Sequence, residues 1–428
     1  MIEDHSAKEK VDPKIIVALI SGLVSIISAS VPLLNATERN YVLVSAAFLI
    51  ALVLMGICMF ILFQRRLYVG IAALVMLGGA AVSAAFAEHV VQAPATLTYA
   101  NTTVTVYAGN GERVYQDGAF LEASFVAPSC MSSYQDCVYV ADSDRIRYLQ
   151  QGNVSTAPFP SSRYNVLMIR NLEADLYALA ENRQMESGKY SNLFMRIRNG
   201  ETESVSAPFD VGAFAASVPD FAFSPGGVLW FIRLYDAPGE GNATLEKLTY
   251  DRDADRYGPP EWVLNFHYEA KDMKASRMTF DAEGNLYVSV PSKGIILRLG
   301  RDEQEFSVFA GVEDEHAFND PGIFTFSYPT ALLSENGVLY VWDNGTVRRI
   351  SIDGGRAASC DTMAGVTPEA LNSGKLNVRG VNVGDSVAGA EVILPADERA
   401  SLAFNERGAL LLSDPDGSFI YQIWEEAD

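Results

Sequence analysis

Hydrophobic residues are distributed in two different ways along this chain of 428 residues. Residues 15–34, 41–63 and 67–87 are apolar runs that no charge interrupts. Each is long enough to cross a hydrocarbon core of about 30 Å as a helix. From about residue 102 onward the apolar stretches shorten and end at Gly, Asp, Asn or Pro. That pattern predicts strands joined by tight turns. Phe280 to Tyr287 reads as strand, turn, strand, as does Phe221 to Phe231. Gly284-Asn285 and Gly226-Gly227 can supply the positive φ that such hairpins need.

The strand region also repeats itself. One copy runs Tyr107-Ala108-Gly109, Asp117-Gly118, Phe125-x-x-Pro128, Val138-Tyr139-Val140-Ala141-Asp142 and Arg145-Ile146-Arg147. A second runs Phe309-Ala310-Gly311, Asp320-Pro321-Gly322, Phe326-x-x-Pro329, Tyr340-Val341-Trp342-Asp343 and Arg348-Arg349-Ile350. A third opens at Met363-Ala364-Gly365 and closes with Leu411-Leu412-Ser413-Asp414 and Tyr421-Gln422-Ile423-Trp424. Gly109, Gly311 and Gly365 fit a period of roughly 50 residues, with weaker units between the first two. Six such units predict an all-β six-bladed propeller. Thr103 to Ala108 is expected to complete the last blade, which removes two free sheet edges. Pro368 to Pro395 reads as an inserted loop or short extra hairpin. The chain then divides into an N-terminal segment 1–14, three transmembrane helices within 15–88, a linker 89–101 and a propeller 102–428.

This phrase resembles the NHL repeat family of β-propellers. The match is good around 107–147 and 309–350, partial in the third copy and absent from the first 100 or so residues. The resemblance implies a propeller used mainly for binding, with some relatives acting as lyases or lactonases. It transfers no catalytic residue.

The loop Gln64-Arg65-Arg66 sets the expected topology, because short basic loops stay cytoplasmic. The N-terminus would lie inside and the propeller in the periplasm or outside the cell. Small residues at helix-packing spacing, Ser21, Ser25 and Ala29 in the first span and Gly70, Gly78 and Gly79 in the third, suggest close helix contacts. Three spans exceed what tethering requires, which suggests other subunits of a membrane complex as partners.

Acidic residues outnumber basic ones by 53 to 32, and the excess lies in the propeller. A negative surface disfavours nucleic acid. Arg145, Arg147, Arg348 and Arg349 are expected to pair with carboxylates in the blades. Asp142, Asp343 and Asp414 should bond turn backbone, and Phe125 and Phe326 should fill space between blades. Cys130 and Cys137 flank a predicted hairpin and could form a disulfide, with Cys360 as a competitor.

Candidate chemistry is sparse. His89, His267 and His316 are too scattered for an evident zinc site. Calcium could use Asp251-x-Asp253-x-Asp255, but Arg256 and Trp262 depart from an EF-hand, so a solvated turn is the simpler reading. No G-x-S-x-G and no phosphate-binding glycine loop occurs. The expectation is therefore a non-enzymatic, membrane-anchored scaffold. The alternatives are a metal-dependent lactonase- or lyase-like enzyme, or a receptor for a glycan or small ligand. For a receptor, Trp230, Trp262, Trp342 and Trp424 are the first aromatics to inspect.

Overall fold

The computed structural model describes residues 99–182, 191–206, 209–210, 216–235, 241–312, 324–366, 378–394 and 396–426. Within them, six antiparallel sheets of four or five strands follow one another along the chain. Their innermost strands are Pro128–Tyr134, Tyr164–Leu172, Phe221–Phe223, Met278–Phe280, Pro329–Glu335 and Leu402–Phe404. Each of these packs against the next and the last against the first, so they form a closed inner ring. The six sheets are the blades of a propeller, and the ring surrounds its central channel.

Closure joins the two ends of the sheet region. Thr102–Ala108 pairs antiparallel with Phe419–Glu425 in the sixth blade, and Val387–Ala388 adds one more short strand beyond it. The segment expected to be a loop or hairpin thus contributes an edge strand. Apolar side chains fill the spaces between blades. Phe194 meets Phe221 and Phe231 edge-on between the second and third, with ring centroids 5.0 and 5.8 Å apart. Phe125 packs with Val140, Leu411 and Ile420 between the first and sixth.

The repeated phrase has a single physical meaning: it builds a cage around one buried arginine. In the first blade Arg147 and Asp142 are both fully buried and lie 3.0 Å apart. The same guanidinium donates to Asp117 Oδ1 at 2.8 Å and to the carbonyls of Ser124 and Gln116, each at 2.9 Å. It also lies 5.2 Å above the Phe125 ring. Asp142 Oδ1 meanwhile accepts the backbone N–H groups of Val126 and Ala127, leading into Pro128. The Asp-Gly, Phe-x-x-Pro, terminal Asp and final Arg of the repeat all converge here.

The fifth blade builds a looser version. Arg348 lies 3.9 Å from Asp343, 3.4 Å from the Thr325 carbonyl and 5.6 Å above Phe326. In the sixth blade the register puts Tyr421 at the arginine position, and its hydroxyl donates to Asp414 Oδ2 at 3.1 Å. The glycine of each Ala-Gly pair is also required. Gly311 and Gly365 have φ of +96° and +94°, and an added Cβ would sit 2.3 and 2.0 Å from the carbonyl oxygens of Gly294 and Gly345. No side chain fits there.

Two expectations change. The fold is an all-β six-bladed propeller, without a three-helix membrane domain as part of it. Among the described residues no helix is long and apolar enough to cross a membrane. The spans 15–34, 41–63 and 67–87, the small residues Ser21, Ser25, Ala29, Gly70, Gly78 and Gly79, and the loop arginines Arg65 and Arg66 all lie outside the described residues. The second change concerns the cysteines. Cys130 and Cys137 are free thiols, because the hairpin register sets Cys137 opposite Tyr134 and carries Cys130 toward the far end. Burial pushes the Cys137 thiol up to about 11.

Candidate functional site

The inner ring encloses a cavity of about 1000 Å³ that receives side chains from all six blades. Ser129, Ser133, Asn171, Phe223, Met278, Phe280, Leu333 and Phe404 show its mixed character. Ser129, between buried Pro128 and Cys130, and exposed Ser133 both line the channel from this strand.

The two ends of the channel carry different charge. Where the inner strands finish, the wall includes Glu335 and Glu406 with the amides of Gln135 and Asn336. At the other end it includes Arg277 and Arg399, which stand just before the inner strands of their blades, and Arg170, which reaches Asp220 there from the later part of Tyr164–Leu172. Arg399 is neutralised by chain carboxylates. It grips Asp397 through two nitrogens at 3.0 and 2.6 Å and reaches Asp416 at 2.9 Å.

Arg170 and Arg277 are balanced differently. Asp220 is fully buried and immediately precedes the inner strand of the third blade. Arg170 Nη2 donates to both Asp220 oxygens at 2.9 Å, while Nη1 contacts Cys130 Sγ and the Ile169 carbonyl, each at 2.9 Å. The backbone N–H of Met278 also donates to Asp220 at 2.8 Å. Arg277 sits beside this group, immediately before the inner strand of the fourth blade. Its Nη1 donates to the carbonyls of Pro219 and Ser276 at 3.2 and 3.0 Å. Among the described residues it has no ion pair, and the rest of its fork meets no protein acceptor. Asp220 is thus bonded to Arg170, and Arg277 has no carboxylate within hydrogen-bond reach among the described residues.

The electrostatics follow that arrangement. Burial would pull Arg170 down, but Asp220 and Cys130 hold its pKa above the usual arginine value. Burial does lower Arg277, with Asp220, Cys130 and Glu398 acting against the fall and Arg170 adding to it. Asp220 is largely committed to Arg170 and two backbone N–H groups.

Several residues singled out from the sequence lie elsewhere. Arg147 and Arg348 are inside blade walls. Asp251 caps the N–H groups of Asp253 and Ala254, and Asp255 pairs with Arg196, so that segment is a turn. His267 is on the exposed outer strand of the third blade, and His89 and His316 lie outside the described residues. Among the described residues no three His, Cys, Asp or Glu side chains gather closely enough to hold a metal ion, so no step through zinc or calcium is derived. The tryptophans make no aromatic platform in the channel. Trp342 is buried and donates to the Asp397 carbonyl at 3.0 Å, while Trp262, 64% exposed, is on an outer strand. Arg170, Asp220 and Arg277 were not identified from the sequence, because nothing in their spacing shows that three blades bring them together.

No protein-family model matches the chain, and no curated protein matches it by sequence. Solved structures do share its fold. One is an auxiliary nutrient binding protein from Bacteroides ovatus, 15% identical, with 77% of this chain and 78% of that one covered and a TM-score of 0.53. A streptogramin B lyase is 14% identical over 76% of this chain and 98% of that one, with a TM-score of 0.43. A glucose dehydrogenase is 12% identical over 76% and 99%, also at 0.43. The first of these likenesses agrees with the propeller fold and says nothing about a ligand.

Proposed function

We propose that the central channel binds a small polar molecule and acts on it by charge stabilisation, as a lyase- or lactonase-like site without a protein-held metal. The observation that carries this reading is a cavity walled by all six blades into which Arg277 turns a guanidinium with no carboxylate of its own. A mixed apolar wall with a few convergent polar groups is the usual character of a ligand site. A buried cation whose titration is displaced by its surroundings is typical of functional positions. Such a guanidinium can stabilise negative charge developing on an acyl or enolate oxygen.

The membrane-scaffold reading is replaced. It rested on three spans that are no part of the described fold, and with them go the expected membrane-complex partners and the integral-membrane location. The expectation of a non-enzyme is set aside on the channel itself.

The test is hydrogen exchange on the full-length chain, with and without pools of small lactones, carboxylates and phosphate esters. Ligand-dependent protection should centre on the inner strands Pro128–Tyr134, Tyr164–Leu172 and Met278–Phe280. Mass spectrometry of the same mixtures reads consumption of the protected compound. Protection confined to outer strands, or stabilisation by no compound, would sink the proposal.

A further inference from the structure

Four features compete for attention. Trp262 is exposed but isolated on an outer strand, with its indole N–H donating to Asn265 at 3.0 Å. The acidic end of the channel holds carboxylates and amides in no metal-binding group. Cys360 is half-buried and contacts Arg348 at 3.3 Å, inside the structural cage of the fifth blade. The channel end where the inner strands begin goes furthest, because there the protein's own charges do not balance.

We infer that Arg277 and Arg170 form an anion subsite that takes the carboxylate or phosphate group of the channel ligand. This rests on the channel reading above and names the ligand's chemistry. Asp220 is fully buried behind Arg170, which is 21% exposed. Both terminal nitrogens of Arg170 are engaged by Asp220, Cys130 and the Ile169 carbonyl, so it contributes charge to the subsite and Arg277 supplies the free fork. Arg277 is held by two carbonyls through one nitrogen only, which fixes its position without neutralising it. Asp220 is taken up by Arg170, and Asp220 and Glu398 act on Arg277 only at longer range, so the Arg277 guanidinium keeps unmatched donors at a wall where a low dielectric strengthens attraction for an incoming anion. Planar guanidinium forks match carboxylate and phosphate oxygens in two-point contacts.

Arg399 supplies an internal control. It lines the same cavity but faces two carboxylates of its own, Asp397 and Asp416. The excess positive charge thus belongs to the Arg170–Arg277 side. The otherwise acidic composition of the chain sharpens the point, since its formal charge is −21. The overall negative field of this protein repels anions, so anion uptake must come from a local site.

The experiment is calorimetric titration of the full-length chain with inorganic phosphate and, separately, with malonate. Wild type should bind one anion per chain in the channel, and preference between the two probes distinguishes a phosphate from a carboxylate ligand. Arg277→Gln should weaken binding by roughly tenfold or more, as expected for loss of a charge-assisted contact. Arg277→Lys should recover part of the loss by restoring charge without the fork. Arg399→Gln should bind within about twofold of wild type, because that guanidinium is already paired. Equal binding by Arg277→Gln and wild type overturns the subsite, as does an equal loss in Arg399→Gln or no uptake by wild type. The channel reading fails separately. If a neutral compound protects the inner strands and Arg277→Gln leaves that unchanged, the channel stands and the anion subsite falls.

Discussion

Arg147 and Arg277 are both held inside the propeller by groups of the chain, but to opposite ends. Arg147 has two carboxylates, two carbonyls and an aromatic face around it, and its surroundings recur in a related form in the fifth blade. Arg277 has two carbonyls and an open cavity, and its position is not repeated. At the corresponding place before the inner strand, the third blade has Asp220 and the sixth has Ser401; each carbonyl accepts from the second strand of its own blade, as that of Arg277 does. A residue that recurs from blade to blade answers a need that every blade has. A charge that occurs in one blade only, facing the axis, answers a need of the channel.

Substitution of the cage arginines should test that distinction most severely. Arg147→Met strands Asp142 without its charge partner, and loss of one member of a buried pair costs about 3–5 kcal/mol. Arg348→Met should cost less, about 1–2 kcal/mol, because its contacts are longer and closer to ordinary hydrogen-bond strength. Urea midpoints of the two variants would give the order directly. Equal losses, or a loss below about 1 kcal/mol for Arg147→Met, would deny the cage its structural weight.

Arg277→Gln should sit at the other extreme. It removes a cation that burial disfavours and that no carboxylate needs, so stability should stay within about 1 kcal/mol of wild type. A loss as large as that of Arg147→Met would move Arg277 into the architectural class.

The smallest effect concerns the variant cage of the sixth blade. Burial raises the Asp414 pKa, with the Gly417 N–H and the Tyr421 hydroxyl acting in the opposite direction. The folded chain therefore holds this proton more tightly than the unfolded chain does. The stabilisation is present below the ordinary carboxylate pKa and is lost as pH rises through the raised value. Asp414→Asn should flatten the slope of stability against pH above the ordinary carboxylate range of about pH 4. Parallel slopes for the variant and wild type would remove Asp414 from this role.

The cage could be read from the sequence because its members sit at fixed offsets within one blade. Phe125, Asp142 and Arg147 recur as Phe326, Asp343 and Arg348, and the register of neighbouring strands brings each set together. What the offsets could not show was the degree of burial: the expected edge-strand ion pair proved to be a fully enclosed one. The channel site has no such offset. Arg170, Asp220 and Arg277 come from the second, third and fourth blades, and only the packing of these inner strands on one another makes them neighbours. The cysteine expectation failed for a related reason. Proximity in sequence places Cys130 and Cys137 on one hairpin, but their register separates the thiols along it.

Closure of the ring has a consequence for the order in which the molecule can be made. Thr102–Ala108 is the first propeller strand to be synthesised, yet its partner Phe419–Glu425 is nearly the last. Until then it has an unpaired edge exposed, and blades one to five must form beside a strand that still awaits its sheet. Pairings so distant in the chain are slow to find. The sixth blade therefore acts as a latch, and loss of the final strand would open the ring and leave the early one as a surface for pairing with other chains.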